Sequence, residues 1–277
     1  MFLGYNTNGL AHHDPLDAVE LLAGIGYRSV AITIDHGTLS PRDERWQAQA
    51  AALGEALRRH EMHSVVETGA RYLLDPREKH EPTLVSADPA DRARRVEFLK
   101  HAIDAAGLLG SDCVSFWSGR LCDEVGAGAA LDRLAGGLRQ VIDYAAERNV
   151  TLGFEPEPGM FIDTMSAFDR LLQWIDAPHF CLTLDVGHLY CLHEVPIADY
   201  IARWGERIVN VHIEDMRAGV HEHLMFGEGE MSFPPIIEAF ERVGYRGGVH
   251  VELSRHSHDG PAAARRAYDF LRPLIDS

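Results

Sequence analysis

Lysine is nearly missing from this 277-residue chain: Lys79 and Lys100 stand against 24 arginines. Both lie in polar loop-like or helical surroundings, which argues against a Schiff-base mechanism built on a buried strand lysine. Positive charge is scarce overall. Twenty-six basic residues face 42 acidic ones, for a formal net charge of −16. That balance argues against nucleic-acid partners, whose phosphates call for a basic patch, and against adhesion to an anionic membrane surface. No run approaches the roughly 18 apolar residues that span a bilayer. The opening MFLGYNTNGL has no basic stretch ahead of an apolar one, so export is not expected and a cytoplasmic location is. Four cysteines, at 113, 122, 181 and 191, form no C-x-x-C, and reduced thiols are expected. The phosphate-cradling G-x-x-x-x-G-K-[ST] loop is also missing, and GAGAAL at 126–131 fails the last position of G-x-G-x-x-G. No nucleotide cofactor is expected.

What is present is an alternation. Short β-rich runs occur at 2–7, 29–35, 63–68, 112–118, 151–157, 180–186, 207–215 and 248–254. Helical patterns follow at 15–25, 44–61, 89–109, 128–148, 164–175, 196–204, 232–244 and 261–275. Pro15, Pro89 and Pro196 suit helix starts, and Gly26, Gly110 and Gly244 suit helix ends. Eight strand–helix units of about 35 residues each predict a closed (β/α)8 barrel, a TIM barrel of α/β class, with 1–277 as a single domain.

Strand parity supplies a second clue. Side chains alternate across a strand, so Gly153 and Glu155 share one face while Leu152 and Phe154 share the other. Likewise Thr183 and Asp185 oppose Leu182 and Leu184, and His250 and Glu252 oppose Val249 and Val251. In the seventh strand Ile208, Asn210 and His212 are expected on the interior face and Val209, Val211 and Ile213 outside. Each polar face ends in an ionisable group near the C-terminal end of its strand, where barrel enzymes build their sites.

Glu155, Asp185, His212 and Glu252 therefore project from four neighbouring strands toward one point. Three uncompensated carboxylates would repel at low dielectric. A divalent metal is the economical compensation, and three oxygen donors with one imidazole suit Mn²⁺, Mg²⁺, Co²⁺ or Zn²⁺ alike.

The runs FEPEPGMF with Glu155, LDVGH with Asp185 and His188, VHIEDMR with His212, Asp215 and Arg217, FGEGEMSF at 226–233 and VHVELS with Glu252 resemble the xylose isomerase-like barrels of sugar isomerases and epimerases. The resemblance covers essentially the whole chain. It implies that Glu155, Asp185, His212 and Glu252 bind one divalent metal. It also implies that Glu155 and Glu252 exchange a proton with the carbon beside the carbonyl of a small polyhydroxylated substrate, free or phosphorylated. Return of the proton to the same carbon from the opposite side is epimerisation, and return to the neighbouring carbon is isomerisation. Loss of a β-hydroxyl from the same enediolate is dehydration, which keeps a keto-sugar or inosose dehydratase as the alternative enzyme. A non-catalytic sugar-binding barrel is the alternative outside catalysis.

By the same resemblance His188 and Arg217 meet substrate hydroxyls. Trp117 and Glu67, at the ends of the fourth and third strands, and His223 are expected to wall the pocket. One departure stands out: the epimerase branch carries a second acid six positions after the first metal glutamate, where this chain has Phe161. His221 and His223, expected in a loop, leave open a second metal shared with His188, similar to the barrel endonucleases that repair abasic DNA. The further histidines of that three-zinc cluster are missing, and the acidity of the chain argues against a nuclease. Remaining histidines, His80 among them, are expected on the solvated surface. The segment 69–90 is long and polar, suited to a lid, and a homo-oligomer remains open.

Overall fold

The computed structural model describes residues 1–175 and 177–275. The chain runs β1 (Phe2–Asn6), α1 (Pro15–Ile25), β2 (Ser29–Thr33), α2 (Trp46–Arg59), β3 (His63–Glu67), α3 (Pro89–Leu109), β4 (Val114–Phe116), α4 (Ala127–Glu147), β5 (Leu152–Phe154), α5 (Met165–Leu171) and β6 (Phe180–Asp185). It continues with α6 (Val186–Cys191), α7 (Ile197–Trp204), β7 (Ile208–Ile213), β8 (Asp215–Arg217), β9 (Val220–Leu224), α8 (Pro234–Arg242), β10 (Gly248–Val251) and α9 (Gly260–Ile275). Strands β1 to β7 and β10 close a barrel in the order β1-β10-β7-β6-β5-β4-β3-β2, with parallel pairing throughout.

Local chemistry sets the helix limits. Asp14 accepts from the Leu16 amide at 2.9 Å and Pro15 fills the first turn of α1. Asp88 caps the Ala90 amide at 2.8 Å ahead of Pro89 in α3. Side-chain caps of this kind satisfy amides that the helix itself leaves without a partner.

The main core lies between the outward faces of the strands and the helices. Phe154 on β5 packs 5.5 Å from both Phe116 and Phe180 and 5.9 Å from Phe168 on α5, centroid to centroid. All four rings are buried. Aromatic side chains bury about 150–250 Å² each, so this cluster is a large share of the apolar area on that side of the barrel.

Inside the barrel the alternation holds except in β7. The β6–β7 register shifts between Leu182 and Thr183, so that Leu182 pairs with Ile208 but Thr183 pairs with Asn210. Val209 is the extra residue of a bulge, which leaves it facing the interior against Ala31, Val65 and Cys113, while Ile208 joins the outer core. The expected faces of these two residues are thus exchanged, because one inserted residue flips the side chain it displaces. Gly153, beside the bulge, makes room for Thr183: a Cβ there would lie 2.4 Å from Thr183 Oγ1, and at an ordinary contact distance of 3.4 Å from Val209 Cγ2.

Candidate active site

Asp185 ends β6 and caps α6, its Oδ1 accepting from the His188 amide at 2.9 Å. That bond fixes the carboxylate and leaves Oδ2 buried with no hydrogen-bond partner. His212, on β7, points Nδ1 at Glu155 Oε1 (3.0 Å), Glu252 Oε2 (3.1 Å) and Asp185 Oδ2 (3.9 Å). Its Nε2 faces Glu67 Oε1 at 2.9 Å on the far side of the ring. One potential ligand atom from each of Glu155, Asp185, His212 and Glu252 falls within 4.8 Å of all the others.

A cavity of about 300 Å³ opens above this cluster at the C-terminal mouth of the barrel, lined among others by Asn8, Glu67, Trp117, Glu155, His212 and Glu252. Asn8, just past β1, donates from Nδ2 to Glu252 Oε1 at 2.7 Å. No motif marks Asn8; its place beyond a strand end is its one signal in the sequence. Below the cluster Asn210 links the walls, donating to Glu67 Oε1 at 3.2 Å and accepting from His250 Nδ1 at 2.8 Å.

Residues 215–224 form an antiparallel hairpin, β8–β9, where a loop was expected. Asp215 builds its base by accepting from the amides of Gly227 (2.8 Å), Gly229 (3.0 Å) and Met231 (3.1 Å). A Cβ at Gly229 would come 2.2 Å from Asp215 Oδ1, which explains that glycine in FGEGEMSF. On β9, His221 and His223 occupy one face and line the cavity, their Nε2 atoms 3.2 Å apart. Glu222, on the opposite face, meets Arg255 at 2.7 Å.

Trp117, Glu67 and His223 line the cavity, as does His80, which is half-buried against Trp117 and not on the solvated surface expected for it. Gly69, Arg71, Lys79 and His80, from the long β3–α3 connection, supply one wall. His188 is buried behind the cavity, 3.4 Å from Asp185 Oδ2 and 3.6 Å from Glu155 Oε1. Arg217 is exposed, donates to the Glu228 carbonyl at 2.9 Å and does not line the cavity. Its position near the tip of the hairpin turns it away from the hydroxyl contacts expected of it. His188, His221 and His223 form a second group of converging ligand atoms.

The electrostatics of the site divide the two glutamates. Burial pushes the Glu155 carboxyl up to about 7, against the pull of His212. Glu252 is less enclosed, and the imidazoles of His212, His223 and His188 outweigh burial and hold it well below the usual carboxylate range. His212 shows the complementary effect: burial favours its neutral form, yet Glu67, Glu155 and Glu252 raise it well above its ordinary value.

The model of the xylose isomerase-like TIM barrel matches residues 19–274. The chain belongs to this family. The xylose isomerase-like barrel is 26% identical over 250 residues to the L-ribulose-5-phosphate 3-epimerase UlaE of Shigella flexneri serotype 5b, covering 90% of this chain and 85% of that protein. Among solved structures it is similar to an L-ribulose 3-epimerase (TM-score 0.79, 20% identity, 99% of this chain and 94% of that one). It is also similar to the D-allulose 3-epimerase of Methylomonas sp. (TM-score 0.78, 18% identity, 99% and 98%). These relatives are epimerases, and this xylose isomerase-like barrel is an enzyme of the isomerase class. Among the described residues no helix is long and apolar enough to cross a membrane.

Proposed function

We propose that the chain is a divalent-metal-dependent ketose epimerase or isomerase that moves a proton through an enediolate. The observation that carries this reading is the pair Glu155 and Glu252, which converge on His212 Nδ1 at 3.0 and 3.1 Å at the mouth of the barrel. Two carboxyl groups so placed can remove and return a proton at one substrate carbon. Names of relatives add weight to epimerisation.

The cluster fits a metal. Asp185 Oδ2 is buried without a partner, and the donors lie 3.0, 3.1 and 3.9 Å from His212 Nδ1. Ligands about 2.1 Å from one ion are separated by about 3.0–3.4 Å, so small adjustments would complete the shell. Glu155, Asp185, His212 and Glu252 would hold the ion, which when bound supplies Lewis-acid stabilisation of charge on the substrate's carbonyl oxygen.

The chain's own groups perform the proton transfer. Glu252, oriented by Asn8 Nδ2, removes the proton beside the carbonyl, and Glu155, on the other side of His212 Nδ1, returns one. Delivery to the same carbon from the other face gives the epimer. Trp117, Glu67 and His223 wall the cavity and limit water around the intermediate. A second ion at His188, His221 and His223 is part of the proposal, supported by the two His188 ring nitrogens, both buried without a partner.

The test is incubation of the protein with Mn²⁺ or Co²⁺ and a ketose panel in D₂O. Deuterium beside the carbonyl together with epimer formation is the expected result. Growth of an unsaturated carbonyl absorbance would move the assignment to a dehydratase. Binding of ketoses without any exchange would leave a sugar-binding barrel.

A further inference from the structure

A second cavity of about 310 Å³ lies beside the first, between the loops that follow β1 and β2. Asn8, Thr33 and Arg71 appear on the walls of both cavities. These side chains form the boundary between them. Arg71 Nη2 donates to the Asn8 carbonyl at 3.1 Å, and Arg71 Nη1 stands 3.8 Å from Asp35 Oδ2. The Asn8 side chain spans the boundary chemically: its Nδ2 donates to Glu252 in the reaction cavity, while its Oδ1 is buried without a partner. His13, on the wall of the second cavity, also has a buried ring nitrogen, Nδ1, with no partner.

The lining argues for what fills it. Asp14 and Asp35 oppose the single guanidinium of Arg71, and Thr7, Thr38, His13 and His36 add further polar groups. Two carboxylates repel a phosphate, and mixed donors and acceptors match hydroxyl groups. At about 300 Å³ the reaction cavity is at the small end for a ligand site, so a substrate of two sugar units would need the neighbouring space.

We propose that the second cavity is a subsite for a neutral sugar joined to the reacting ketose, so that the preferred substrate is a glycosylated ketose and not a ketose phosphate. This rests on the first cavity being where the proton transfer occurs. A hydroxyl donated to Asn8 Oδ1 would fix the amide whose other end orients Glu252. Binding energy gained in the second cavity is then expressed at the reacting carboxylate, raising kcat as well as lowering KM.

The experiment compares fructose, fructose 6-phosphate and two ketose disaccharides, isomaltulose and lactulose, with the Mn²⁺-loaded full chain. Calorimetry reads binding and D₂O exchange reads the reaction. Thr38→Trp fills the cavity, and His13→Ala is the milder variant should the first fail to fold. The expected result is a disaccharide bound at least about tenfold more tightly than either fructose or its phosphate. Thr38→Trp should remove that advantage, and His13→Ala should reduce it about threefold to tenfold, while fructose binding and exchange stay within about twofold. Disaccharides binding no better than fructose, tighter binding of the phosphate, or equal losses for all ligands in the variants would each overturn the subsite. Exchange with fructose but no disaccharide advantage leaves the proton-transfer reading standing. A disaccharide advantage lost in the variants, with no exchange from any sugar, preserves the subsite and removes the reaction.

Discussion

Glu67 Oε1 lies 2.9 Å from His212 Nε2, on the opposite side of the ring from Glu155 and Glu252. A carboxylate there keeps the proton on Nε2 and leaves the Nδ1 lone pair free for a metal. Partners of this kind typically contribute 10–100-fold in metal affinity. Glu67→Ala is therefore expected to weaken Mn²⁺ binding by about that factor in calorimetry, with the fold intact by circular dichroism. Unchanged affinity would show that Glu67 serves only to wall the cavity.

Glu252→Gln keeps the shape and the Asn8 contact but cannot accept a proton. General-base catalysis contributes about 10²–10⁴-fold, and a loss of kcat in that range is expected, together with loss of solvent deuterium exchange. Glu155→Gln should lose turnover similarly, yet retain some exchange, because removal of the proton by Glu252 survives. Equal exchange in wild type and Glu252→Gln would reverse the two roles.

The barrel was legible because strand and helix periods differ and because Asp-Pro and glycine punctuate the helices where the caps now appear at Asp14, Asp88, Gly26 and Gly110. Convergence of Glu155, Asp185, His212 and Glu252 was legible for the same reason, since parity and strand ends place side chains. The β7 bulge was not, because alternation carries no sign of an inserted residue, and Val209 is as apolar as its neighbours. The hairpin at 215–224 was hidden as well: its strands are three and five residues long, too short for periodicity, and its anchor at Asp215 consists of bonds to backbone amides 12 to 16 residues away. The exposure of Arg217 follows from the same hairpin. Asn8 needed its contact with Glu252 to be seen.

Acid should destabilise the fold through its buried histidines. Burial lowers His80 to about 4 and His250 to about 3. His250 donates from Nδ1 to Asn210 Oδ1 and accepts at Nε2 from Ser29 Oγ, 2.8 Å each, so a second ring proton would reverse the Ser29 bond and leave a charge buried in the barrel. Between those values and the ordinary 6.5 the unfolded chain binds more protons than the folded one. Stability is thus present above about pH 6.5 and is lost as pH falls toward 3–4, at up to about 1.4 kcal/mol per pH unit for each histidine. Urea unfolding of wild type and His80→Gln from pH 7 to 4 checks this. The variant should show the shallower pH slope, and parallel slopes would contradict the assignment.

Gly153 tests whether the packing of Thr183 inside the barrel depends on the missing side chain. A methyl group there meets Thr183 Oγ1 at 2.4 Å and Val209 Cγ2 at 3.4 Å, and Thr183 is tied to Ser115 Oγ at 3.1 Å inside the barrel. Overpacking of this kind costs about 1–3 kcal/mol, so Gly153→Ala should lower the unfolding free energy by that amount. Thr183→Ala alone should also destabilise, because it removes the bond to Ser115. Combined with Gly153→Ala, however, it removes the atom that the new methyl strikes. The double variant is then expected to be more stable than the sum of the two single losses predicts, since contacting sites couple by about 0.5–3 kcal/mol. Strict additivity in urea denaturation would place the strain at Val209 instead, and Val209→Ala would then be the substitution that relieves it.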